Sequence, residues 1–136
     1  MFKRNIIPKL KVLSSTKTLG ARGEDEATKY LQNKGYSVPI RNWKIKYGEI
    51  DLIAIHNNKV VFVEVKTRYD SPIARTHLFD NISSKKKRKL VTLASIFADQ
   101  HWKGRKRPDY RIDVIGVLIN RDNESVNKII HLEGVL

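Results

Sequence analysis

Two acidic residues and a lysine carry the strongest chemical signal in this sequence. They are Asp51 in Gly48-Glu49-Ile50-Asp51-Leu52-Ile53, and Glu64 and Lys66 in Phe62-Val63-Glu64-Val65-Lys66. Both segments are runs of Ile, Leu, Val and Phe, where an unpaired charge is costly. Between them stands Asn57-Asn58, a pair that accepts left-handed turn geometry and so predicts a hairpin. Closing it on a two- or four-residue loop pairs residues whose numbers sum to 115. Ile55 then faces Val60, Ile53 faces Phe62, Asp51 faces Glu64 and Glu49 faces Lys66. A three-residue loop moves that register by one. Side chains alternate along a strand, so Asp51, Glu64 and Lys66 share one face. Ile50, Leu52, Ala54, Val61, Val63 and Val65 take the other, which makes this a central hairpin covered on both sides.

Opposed carboxylates on a covered sheet repel each other and lose hydration. A hard divalent cation such as Mg²⁺, which takes oxygen ligands, removes the conflict. The alternative is a solvated sheet end with ordinary salt bridges, and Glu-x-Lys by itself is a common tripeptide. Glu24 adds a third acid. It falls on the inward stripe of a helix, where a metal or a metal-bound water is a suitable partner. A first-turn acid favoured by the helix dipole is the other reading.

These residues need elements to hold them. Three- and four-residue spacing predicts a helix from about Thr18 to Lys34, with Gly20, Gly23, Glu24, Ala27, Tyr30 and Leu31 inward and Gly35 as its stop. Tyr36 to Lys46 reads as a strand, at a sheet edge because of Pro39. The hairpin strands are Glu49 to Ile55 and Val60 to Thr67, and 68 to 82 reads as a loop. A second helix begins at Ser83 or Ser84 and turns Lys86, Leu90, Leu93, Ala94 and Phe97 to one side. Gly104 to Pro108 is a basic linker, and Arg111 to Ile119 and Val126 to Leu132 are two further strands. This order implies an α/β domain, a mixed central sheet flanked by helices.

The chain has 136 residues, 40% of them hydrophobic, which fits one domain with a real core. Lys and Arg number 27 against 14 acids, a formal charge of +13. That excess favours a polyanionic partner, although a ribosome-associated or merely soluble basic protein also fits. Residues 1 to 16 read as a flexible basic arm, either touching phosphates or inert, ahead of a single domain over 17 to 136. Lys85-Lys86-Lys87-Arg88-Lys89 reads as a phosphate-contacting helix end or a solvated basic face. With no cysteine there is neither a disulfide nor a thiolate metal site. No apolar run reaches the roughly 20 residues of a membrane helix. The first eight residues lack the continuous apolar stretch of a signal peptide, so a cytoplasmic protein is expected. The four histidines lack metal-ligand spacing, and Trp43, Tyr47 and Trp102 are expected in packing rather than base stacking. Asp113 is expected in a strand-end salt bridge with an arginine.

Several segments together resemble a known family. Gly20-Ala21-Arg22-Gly23-Glu24-x-x-Ala27, Tyr30-Leu31, Gly35-Tyr36, Arg41-Asn42, Gly48 to Ile53, Phe62 to Arg68 and Arg111-Ile112-Asp113-Val114 resemble the YraN family. These are small bacterial proteins predicted to be endonucleases, distantly similar to archaeal Holliday junction resolvases. The resemblance implies a restriction-endonuclease-like, PD-(D/E)XK three-layer fold. It implies Asp51 and Glu64 as metal ligands, Lys66 beside the attacked phosphate and Glu24 as an additional acid near the metal. The sequence departs from the pattern in having Ile50 rather than proline before Asp51, and in the segment from Tyr69 to Asn81, which keeps Ser71-Pro72.

The resulting expectation is phosphodiester hydrolysis with Mg²⁺ or Mn²⁺ held by Asp51, Glu64 and the Val65 carbonyl. Lys66 would stabilise the developing charge, and Glu24 would position a water or a second ion. Arg68, Lys85, Lys86, Lys87, Arg105, Lys106 and Arg107 form the expected nucleic-acid surface, with DNA favoured over RNA and branched DNA as one candidate substrate. No membrane partner is expected, and a homodimer follows only by analogy with the resolvases. The rival is a non-catalytic basic nucleic-acid-binding protein with a vestigial nuclease site. A structural RNA-associated protein would leave the opposed carboxylates unexplained.

Overall fold

The computed structural model describes residues 17 to 135; the basic arm expected over 1 to 16 lies outside them. Helix α1 spans Leu19–Asn33. Its first turn is capped by the Thr18 hydroxyl, which accepts from the Ala21 N–H at 3.1 Å. At the other end Gly35 takes φ +89°, and the Tyr36 N–H returns to the Leu31 carbonyl. Strands β1 (Ser37–Ile45), β2 (Gly48–His56) and β3 (Lys59–Tyr69) follow as an antiparallel meander. β3 then pairs in parallel with β4 (Tyr110–Ile119), and β4 antiparallel with β5 (Val126–Leu132). The sheet order is β1-β2-β3-β4-β5, which puts the Pro39 strand at an edge as expected.

A parallel pair needs a long crossover. Here it carries α2 (Pro72–His77) and α3 (Ser84–His101). Helix α2 corrects the loop expected over 68 to 82. Six residues with no buried side chain leave no periodic signal, yet Ser71 and Pro72 form a proper helix start. Helix α3 starts where expected, the Ser83 hydroxyl accepting from the Lys86 N–H at 3.2 Å.

The result is three layers. Ala27 and Leu31 of α1 pack with Tyr36 on Leu52, Ala54, Val61, Val63 and Ile115. On the opposite face Leu90, Leu93, Ala94 and Phe97 of α3 cover Ile53, Val60, Phe62 and Ile112. Ile50 also packs on the α3 side, although strict alternation places it with Leu52. Across from them in β1, Asn42 takes φ +52°, and the ladder omits the pair Asn42 and Asp51. Gly20, expected inward, is exposed with nothing near its Cβ position, because the first turn of α1 overhangs the packed face. Gly23 does pack: a Cβ there would stand 1.7 Å from Thr67 Oγ1, so α1 approaches β3 this closely only with glycine. Among the described residues, no helix is long and apolar enough to cross a membrane.

Candidate active site

The hairpin forms as the Asn57-Asn58 turn requires. Both residues have positive φ, +51° and +63°, the signature of a two-residue type I′ connection. Ile55 pairs with Val60 and Ile53 with Phe62, in the expected register. The ladder stops at Leu52 and Val63, one pair short of Asp51 and Glu64. Directly opposed like charges destabilise a sheet, and here the strands part instead. The Asp51 Oδ2 accepts the Val65 N–H at 2.8 Å, in the place of a strand carbonyl. A strand residue sends its N–H and C=O to the same neighbour, so the Val65 carbonyl also leaves on the Asp51 side. Glu49 lies across from Lys44 of β1 at 3.8 Å rather than from Lys66.

Glu64 is 5% exposed. Its Oε2 is 3.3 Å from Lys66 Nζ and 3.3 Å from Lys86 Nζ, so α3 reaches the site through an inward lysine. Among the described residues, Asp51 has no such cation. Burial pushes its carboxyl up to about 7, and Glu64, Glu24 and Glu49 push the same way against the Val65 N–H. Glu24 is partly buried and raised by that burial, with Asn42 and Arg41 pulling it back. Its neighbours on α1 turn elsewhere: Asp25 to Arg41 at 2.7 Å, and Glu26 to Lys29 at 3.5 Å. Glu24, Asp51, Glu64, Val65 and Lys66 thus occupy one end of the sheet, where β2 and β3 separate.

The donors suit a hard cation: facing carboxylates with a raised Asp51, and a carbonyl on the same edge. A cation there offsets the burial and the repulsion that push the Asp51 carboxyl up. Among the described residues, no group of three or more His, Asp or Glu side chains stands ready as a metal cage.

The other expected cations scatter. Lys85 is exposed and Lys87 partly buried on α3. Arg68 is exposed and bonds the Thr67 carbonyl; Arg105 bonds the His101 carbonyl; Arg107 pairs with Asp99. Lys106 is exposed. Trp43 and Trp102 pack on Phe97 as expected, with ring centroids 5.3 and 5.9 Å away. Tyr47 does not, being 67% exposed at the β1–β2 turn. Asn42 entered only through the family resemblance, without a role; a left-handed asparagine inside a strand leaves no periodic trace.

Asp113 makes the expected arginine pair but lies fully buried. It takes a fork from Arg111 (2.8 and 2.9 Å), His131 Nε2 at 2.7 Å and the Gly134 N–H at 2.9 Å. None of these partners belongs to the Asp51 site.

A model of the uncharacterised protein family UPF0102 matches residues 23–117. This chain belongs to UPF0102, the YraN family. It is 38% identical to the UPF0102 protein of Caldanaerobacter subterraneus over 117 residues, 85% of this chain and 92% of that protein. It is 37% identical to the Arthrobacter sp. UPF0102 protein over 117 residues, 86% and 94% of the two chains. With the UPF0102 protein of Chloroflexus aurantiacus it shares 41% over 83 residues, 61% and 65% of the two. The UPF0102 match spans Glu24, Asp51, Glu64, Lys66 and Lys86.

Proposed function

We propose that this chain is a divalent-metal-dependent nuclease that hydrolyses phosphodiester bonds in nucleic acid, DNA in preference to RNA. The observation that carries the reading is geometric: where β2 and β3 part, Asp51 accepts the Val65 N–H at 2.8 Å beside the buried Glu64, and burial with that facing charge pushes the Asp51 carboxyl up. Strongly perturbed carboxyls with a specific charged partner concentrate at functional sites. Asp51, Glu64 and the Val65 carbonyl would hold Mg²⁺ or Mn²⁺. The bound ion supplies polarisation of the phosphoryl oxygen and a more acidic water. Lys66 and Lys86, both against Glu64, bind the non-bridging oxygens of a phosphate brought to that carboxylate and stabilise charge as it develops. Glu24, close enough that its charge raises Asp51, orients a water beside it.

One observation favours a second reading. Glu64 is already neutralised by two lysines, as in a binding protein whose nuclease site is vestigial. A cleavage assay with Mg²⁺ and Mn²⁺ across single-stranded, duplex, flap and four-way junction substrates separates the two. The nuclease reading requires metal-dependent cutting by the wild type that Asp51→Asn and Glu64→Gln abolish while binding persists. Wild-type binding with no cutting under either ion leaves the vestigial site.

A further inference from the structure

Between the β1–β2 turn and the first half of α3 lies a groove of about 430 Å³, lined by Lys44, Lys46, Tyr47, Glu49, Lys86 and Lys89. We infer that this groove receives an unpaired strand of nucleic acid, one base of which stacks on Tyr47. The inference rests on the nuclease reading of the neighbouring carboxylates, to which the groove is joined through Lys86. Lys86 lines it and stands 3.3 Å from Glu64. A strand whose phosphate meets Lys86 beside Glu64 can run on past Tyr47.

The charge of the groove suits a phosphate backbone. Four lysines face one acid, Glu49, whose nearest cation is Lys44 at 3.8 Å. Lys89 lies along the turn, where a Cβ at Gly48 would stand 2.9 Å from its Cε. Tyr47 supplies the second element. A single exposed aromatic is ordinary, but this one stands among the lysines, and the neighbouring tryptophans are already engaged by Phe97. Cations that follow the backbone combined with a ring that takes a base are the means by which proteins hold single strands.

Stacking selects an unpaired strand over an intact duplex. The groove falls at the small end of ligand sites, which run from about 300 to 1,000 Å³. That is nucleotide scale. Inside a duplex both faces of a base are covered by its neighbours, so Tyr47 finds a free face only where the strand is unpaired. The substrate class is therefore nucleic acid with an unpaired strand beside the scissile phosphate. DNA and RNA share that chemistry.

The test is fluorescence anisotropy on the full chain in EDTA, so that binding is read without cleavage. The probes are labelled single strands of roughly 12 nucleotides, deoxy and ribo, and the blunt duplex of the same sequence. Tyr47→Ala should weaken single-strand binding roughly tenfold and change duplex binding by less than about twofold. Tyr47→Phe, which keeps the ring, should bind like the wild type. Lys46→Ala should weaken the deoxy and ribo single strands alike and spare the duplex, because its phosphate contact reads no base but lies in the groove. The selective loss on either the deoxy or the ribo strand supports the groove, and the arm that shows it names the polymer. Equal losses on single strand and duplex, no loss, or a Phe variant as weak as Ala would overturn it. Absence of cleavage with Mg²⁺ or Mn²⁺ beside a selective Tyr47 effect removes the catalytic reading and leaves the strand site standing.

Discussion

Asp113, beneath α1, and Asp51, beside α3, are both withdrawn from water in the same sheet, yet the chain surrounds them with opposite electrostatics. Burial alone would raise Asp113, but hydrogen bonds from His131, Arg111 and the Gly134 N–H overcome it and hold the carboxyl down to about 2. At Asp51 burial acts with three neighbouring acids against a single backbone donor, and the carboxyl rises to about 7. One aspartate is satisfied by its own protein. The other is left asking for a cation, and that separates a structural acid from a candidate ligand more sharply than burial does.

Removing each carboxylate should break the comparison most visibly. Asp113→Ala strands Arg111 at the inner end of its fork, and breaking a buried pair costs about 3–5 kcal/mol. Urea unfolding should show a loss of that size. Asp51→Asn removes a conflict instead, so at pH 8 it should raise stability by on the order of 1 kcal/mol. A large loss in both variants would make Asp51 structural too.

The pH dependence of stability comes next in size. A carboxyl lowered by folding contributes stability that is present above its unfolded value and lost as pH falls. Asp113, ordinarily 3.8 and about 2 here, should therefore contribute about 2 kcal/mol above pH 4 that fades towards pH 2. A carboxyl raised by folding does the reverse. The contribution of Asp51 is complete below its ordinary 3.8 and is lost as pH rises through about 7. Denaturant midpoints across pH should fall at both ends, with the acid fall absent in Asp113→Asn and the neutral fall absent in Asp51→Asn. A neutral fall that survives Asp51→Asn assigns it to another group.

Much of this contrast was legible in the sequence because turn and cap residues fix the backbone. Asn57-Asn58 set the register that brings Asp51 towards Glu64, and Thr18 and Ser83 set where Glu24 and Lys86 point. What remained hidden depends on backbone irregularity or on burial in three dimensions. A two-residue period cannot show that Asn42 turns left-handed, that Ile50 joins the α3 side, or that Asp51 replaces a strand carbonyl. Asp113 was legible as an arginine partner, but its ties to His131 and Gly134 come from β5 and the segment after it. Tyr47 followed an apolar pattern to a strand end and emerged in solvent.

The smallest expected effect concerns the two helical faces. If nucleic acid lies along α3, Lys85→Ala with Lys87→Ala should make the slope of log affinity against log salt shallower by about one to two units on duplex DNA. Lys29→Ala with Lys34→Ala, on α1 and at its C-cap, should leave it unchanged. Equal changes from both pairs would erase the distinction between the faces.

The central claim is that Asp51 and Glu64 form a site for a divalent cation, and Mn²⁺ binding followed by calorimetry and by electron paramagnetic resonance tests it without any substrate. The wild type should bind one Mn²⁺ per chain, and Asp51→Asn and Glu64→Gln should each abolish that binding while remaining folded. Undiminished Mn²⁺ binding in both folded variants, or none in the wild type at millimolar Mn²⁺, would contradict the account.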